Sequence, residues 1–119
     1  MQQQLSNASP SEITPMQRAL NIVEEFRKLQ SDLPLQIASL FTYIAANPGI
    51  SMKELQEQTN TAQSTCSRSV AALSEWQNHE KPGFGLIWME EDPEERRRKL
   101  VHLTEKGEKL AATLAKMLR

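Results

Sequence analysis

Residues 51–76, SMKELQEQTNTAQSTCSRSVAALSEW, constrain the fold more than any other part of this 119-residue chain. Ser51 is a favoured N-cap residue, and Glu54 stands three positions on, the spacing of a reciprocal capping box. A short helix is therefore expected over MKELQEQT. Thr59-Asn60 supplies a tight turn, and Thr61 is positioned to cap a second, longer helix through Trp76. A short and a long helix joined by a few turn residues make a helix-turn-helix, here over residues 52–76.

The flanks extend this unit. Residues 1–10 are rich in Gln, Ser and Asn and read as a flexible tail, leaving residues 11–119 as one domain. Thr14-Pro15 offers an N-cap followed by proline at the first helical position, and Met16, Ala19, Leu20, Val23 and Phe26 recur at helical spacing, predicting a helix over 14–30. After the Ser31–Pro34 break a second helix carries Ile37, Leu40, Phe41 and Ile44, and Asn47-Pro48-Gly49 ends it. Beyond Trp76 the chain changes character. NHEKPGFG, residues 78–85, is loop chemistry, and two short apolar runs, Leu86–Met89 and Lys99–Thr104, enclose a charged turn. They predict a β-hairpin over 86–104. Thr104 then caps a last helix with Leu110, Leu114, Met117 and Leu118 on one side. The fold class is mainly α with a small β-hairpin, a winged helix-turn-helix whose hairpin is the wing.

The longer helix of the pair carries unusual chemistry. At 100° per residue, Cys66, Val70 and Leu73 fall within about 60° of one another and face the core, with Arg68 nearly opposite. Thr61, Gln63, Ser64, Thr65 and Ser67 surround that outward face near the helix start. Short hydroxyl side chains let a helix sit deep in a major groove, and their oxygens and the first amides bond phosphates. Arg68 has the reach for a guanine edge or a phosphate. A polar solvent face is the plain alternative. Six Ser and Thr from Thr61 to Ser74 are nevertheless poor filler for a helix needed only for stability.

Charge is balanced overall, at −1, so a nucleic-acid function must rest on local separation. The wing supplies it in EEDPEERRRK, residues 90–99. Arg96, Arg97 and Arg98 follow an Asp-Pro turn at a hairpin tip, from which they can approach a minor groove or flanking phosphates while the helix occupies the major groove.

These residues resemble the MarR-type winged-helix transcription regulators. The resemblance spans about Leu33 to Leu110 and is strongest from the wing into the start of the last helix. Asp92, Pro93, Arg96, Arg97, Val101, Leu103, Thr104 and Gly107 fall on the family pattern without a gap, and TAQSTCSRSVAAL is similar to its recognition helix. Glu94 stands where the family commonly has a wing-tip arginine, Glu95 replaces the next Asp, and residues 77–84 form a longer link than usual. The resemblance implies double-stranded DNA as partner, a homodimer formed through residues 14–30 and 105–119, and room for a small-molecule effector. The site residues it implies are Thr61, Gln63, Ser64, Thr65, Ser67 and Arg68 in the major groove, with Arg96, Arg97 and Arg98 on the wing.

Other chemistries find little support. Cys66, His79 and His102 lack metal-ligand spacing, no phosphate loop or nucleophile motif occurs, and no cofactor or enzymatic activity is expected. Cys66 points inward, where a thiol is a small hydrophobe rather than a redox sensor. Trp76 and Trp88 are expected to close the core beneath the loop and strand. No apolar run approaches the roughly 20 residues of a membrane span, and neither a secretion signal nor paired cysteines are found, which suits the cytoplasm. Two alternatives remain: a winged-helix protein of plasmid or phage replication or partition, and a winged-helix protein–protein module without DNA binding.

Overall fold

The computed structural model describes residues 10–119, with side chains from residue 14. In chain order it contains α1 (Pro10–Arg27), α2 (Leu35–Ala46), α3 (Met52–Thr59), α4 (Gln63–Leu73), β1 (Ile87–Glu91), β2 (Lys99–Leu103) and α5 (Glu105–Met117). The expected winged helix-turn-helix is thus the observed architecture. No helix among the described residues is long and apolar enough to cross a membrane.

The core is built around α2, whose Leu40, Phe41 and Ile44 are almost wholly buried. It packs against α3, α4, α5 and β2, while α1 meets α5. Phe26 of α1 joins through an edge-to-face contact with Phe41, ring centroids 6.0 Å apart. Leu55, Cys66, Val70, Leu73, Leu86, Ile87 and Val101 complete the cluster. The inward phase expected for Cys66, Val70 and Leu73 is what the structure has.

Local chemistry accounts for the helix-turn-helix. The Ser51 hydroxyl accepts from the Glu54 amide at 3.1 Å, and the Glu54 carboxylate accepts from the Ser51 amide at 3.1 Å. Both amides would otherwise lack a partner at the start of α3. These bonds also hold the Glu54 carboxyl below its usual range, chiefly through the Ser51 backbone amide. Asn60 ends α3 in the left-handed region, at φ 51°, a conformation asparagine tolerates better than most residues.

The wing pairs Ile87 with Leu103, Met89 with Val101 and Glu91 with Lys99 in an antiparallel register. It is anchored to the helix-turn-helix, because Val101 donates its amide to the Ile50 carbonyl at 2.8 Å and Ser51 bridges to Leu100. Thr104 forms the second joint. Its hydroxyl donates to the Gly85 carbonyl at 2.7 Å and accepts from the Gly107 amide at 3.1 Å, capping α5 as expected.

Four expectations need correction. Residues 1–9 of the expected tail lie outside the described residues, but Pro10 is the first residue of α1, so Thr14 does not cap it. Proline is well tolerated at a first helical position, and the helix continues through Pro15 with one backbone bond missing. It ends at Arg27 rather than residue 30. Second, α4 begins after Ala62 and ends at Leu73. Thr61 is drawn into the turn instead, its hydroxyl 2.8 Å from that of Thr59, which itself donates to the Leu55 carbonyl. Third, Trp76 is 58% exposed, because it sits in a folded loop bridged to Pro82 and the core beneath is closed by Leu86. Fourth, Trp88 is 46% exposed on the outer face of β1, where it stacks on His102 across the hairpin at 4.6 Å. Strand alternation sends its neighbour Ile87 inward in its place.

Candidate nucleic-acid interface

The expected helix residues do not share one face. Gln63 and Ser67, four residues apart, border a groove of about 490 Å³ between α4 and the wing. Arg97, Arg98 and Lys99 line the same groove from the wing, and Lys53 and Gln56 line it from α3. Ser64 is exposed next to this surface at the start of α4. Thr65 and Arg68 lie along the other flank, bordering a separate groove with Leu33, Pro34 and Lys81. Thr61, half-buried and bonded to Thr59, is not a free hydroxyl.

The start of α4 has one property suited to an anion. Ala62 occupies the cap position and supplies no side-chain acceptor, while Ala62, Gln63 and Ser64 are all exposed. The first amides of the helix therefore have no side-chain partner, the condition under which a helix start receives phosphate.

The wing tip is a braced turn. Asp92, 8% exposed, accepts the Glu94 amide on its carboxylate at 2.9 Å, and its own amide donates to the Arg98 carbonyl at 2.8 Å. Arg98 reaches Glu95 at 2.9 Å and Asp92 at 3.5 Å. The three arginines thus divide their work. Arg98 is engaged with two carboxylates and shapes the tip, whereas Arg96 and Arg97 form no ion pair among the described residues. Of these two, only Arg97 lines the groove beside α4. Glu94, exposed at the tip, keeps an acid on the outside of the turn.

Lys53, Gln56 and Lys99 were missed by sequence reasoning. Lys99 is the last of four consecutive bases, so its charge was visible, but its meeting with Lys53 and Gln63 depends on docking the wing against α3. Nine residues border this groove and none is acidic, although Glu54, Glu57 and Glu95 line a neighbouring one with Arg97 and Arg98. Burial pushes the Cys66 thiol up, away from the thiolate, which argues against redox sensing at that position.

Comparisons with known proteins agree with this geometry. Residues 40–75 match the model of a winged helix-turn-helix DNA-binding family, a span that runs from α2 through the end of α4. The crystal structure of MarR superposes with a TM-score of 0.62 at 27% identity, covering 88% of this chain and 69% of that one. This chain has a winged helix-turn-helix fold similar to that of MarR. The MarR-type fold recurs in the transcriptional regulator SlyA, at a TM-score of 0.61 and 23% identity over 89% of this chain and 69% of that chain. It recurs again in MepR of S. aureus, solved with DNA, at 0.64 and 21% over 87% and 75%. No curated protein matches the chain.

Proposed function

We propose that this chain is a cytoplasmic transcription regulator of the MarR type, a repressor rather than an enzyme, that binds double-stranded DNA as a homodimer. The observation that carries the reading is the groove in which Gln63 and Ser67 of the recognition helix face Arg97, Arg98, Lys99 and Lys53 with no carboxylate in the lining. A duplex presents base edges in its major groove beside two phosphate ribbons, and this surface offers small polar groups beside a line of cations. Gln63, Ser64 and Ser67 would meet base edges, Arg68 an edge or a phosphate, and Arg96, Arg97, Lys53 and Lys99 the backbone.

Support for a second copy comes from α1. Met16, Leu20 and Val23, which recur at helical spacing, are 62%, 57% and 51% exposed along α1, and Leu118 beyond α5 is 65% exposed. Such a stripe is unfavourable in water and is covered by association. Two recognition helices about 34 Å apart would then read a pseudo-palindromic site. A small-molecule effector completes the regulatory reading.

Fluorescence anisotropy against a duplex selected from a random pool, repeated at several salt concentrations, tests it. Tight binding that weakens steeply with salt is expected, with Arg97→Ala and Arg68→Ala both reducing affinity. Absent or salt-insensitive binding by the wild type would sink the DNA reading. Binding unchanged by either substitution would refute the residue assignment.

A further inference from the structure

Two grooves lie side by side where the wing meets α3, and Lys53, Arg97 and Arg98 line both of them. These three bases form a ridge with two unlike slopes. On the slope towards α4, Gln63, Ser67 and Lys99 line the groove described above, and no acid does. On the slope away from α4, a groove of about 550 Å³ is lined by Glu54, Glu57 and Glu95. The turn of α3 produces the reversal. Met52 and Gln56, four residues apart, border the first groove, and Glu54 and Glu57, three apart, border the second, with Lys53 shared.

The three carboxylates are not equivalent. Glu54 accepts the Ser51 amide, and the bonds to Ser51, followed by the charge of Arg98, hold its carboxyl below the usual range. Glu95 is paired with Arg98 at 2.9 Å. Glu57 is exposed and forms no ion pair among the described residues, so its charge is uncompensated. Nor does α3 gain from it. Glu57 stands in the last turn, where the helix end carries partial negative charge and disfavours an acid. Glutamine has nearly the same helix propensity, so helix stability does not account for a carboxylate here.

We propose that Glu57 is a specificity-determining residue: its charge repels phosphate and confines a backbone strand of the duplex to the acid-free slope of the Lys53–Arg97–Arg98 ridge. The proposal deepens the DNA reading above and rests on it. In the register that seats Gln63 and Ser67 on base edges, the strand runs between α4 and the ridge and Glu57 lies beyond it. A duplex held loosely, in other registers, brings phosphates over the second groove and meets the unpaired carboxylate within the screening length of about 8 Å at physiological salt. Discrimination then comes partly from a charge placed against the wrong complexes, while the bases that draw in every duplex stay in place.

Anisotropy titrations of the full chain with a selected duplex and with a scrambled duplex of equal length and composition test this. Wild type is compared with Glu57→Gln and with Glu80→Gln, which makes the same change of net charge at a position lining neither groove. Glu57→Gln is expected to tighten binding of the scrambled duplex by about threefold and of the selected one by less, so that the ratio of the two affinities falls. Glu80→Gln is expected to leave that ratio unchanged. A ratio that does not fall in Glu57→Gln, or that falls equally in Glu80→Gln, would overturn the role of Glu57 while leaving the DNA reading in place. Binding of neither duplex by the wild type would overturn both.

Discussion

Gly107→Ala is predicted to destabilise the fold, although the same change in an ordinary helix is stabilising. Alanine is favoured over glycine in a helix interior by about 0.8–1 kcal/mol. At Gly107, however, a Cβ would lie 2.1 Å from the Leu86 carbonyl oxygen and 3.3 Å from the Leu103 Cβ. The obstructing atom is backbone, so no rotamer relieves the clash, and the start of α5 must retreat by about 1 Å from the segment it packs on. That segment is committed twice, since Leu86 donates its amide to the Leu73 carbonyl at 2.8 Å and accepts the Thr104 amide at 3.0 Å. Overpacking of this kind costs about 1–3 kcal/mol, and loss of the Thr104 bond adds about 1 kcal/mol. Against the propensity gain, a net loss of about 2 kcal/mol is expected. Urea unfolding followed by far-UV circular dichroism reads it directly. With a slope of about 1–3 kcal/mol/M, the midpoint should fall by about 1 M. A midpoint that holds or rises would refute the close-approach argument and reduce Gly107 to a weak helix former.

Three further outcomes are expected in other parts of the molecule. Ser51→Ala removes the acceptor for the Glu54 amide at a site 3% exposed, and should cost about 1 kcal/mol in the same unfolding experiment. Because the Glu54 carboxyl is held below its usual range when folded, its contribution is present above the ordinary glutamate range and lost as pH falls through the lowered value; the acid limb of wild-type stability should flatten in Glu54→Gln. On the wing, Arg97→Ala should lower the slope of log affinity against log salt by about 0.9, whereas Arg98→Ala, whose charge Glu95 and Asp92 already offset, should change the slope less. Equal slopes for the two variants would contradict the division of labour among the arginines.

The features legible in the sequence were those made by neighbours in the chain. Ser51 with Glu54, Asn60, Asp92-Pro93 and Thr104 each act over two to four residues, so their spacing determines what they do. Thr61 misled because a hydroxyl one residue before the true cap looks the same in sequence, and only the nearby Thr59 hydroxyl decided its partner. The tryptophans misled because size favours burial on average, whereas strand phase decided Trp88 and the loop fold decided Trp76. Lys53 meets Lys99 only after the wing docks, and Arg68 meets Lys81 only after the loop folds back, so neither pairing has a local signature.

The short ladder from Ile50 and Ser51 to Val101 and Leu100 has a mechanical consequence. It ties the wing to the residues that start α3, which leaves no free hinge between the hairpin and the helix pair. Within one copy the recognition helix and wing behave as two prongs of a fixed fork, whose span is set before DNA arrives. On the proposed DNA reading, the duplex meets that span as the fold has set it.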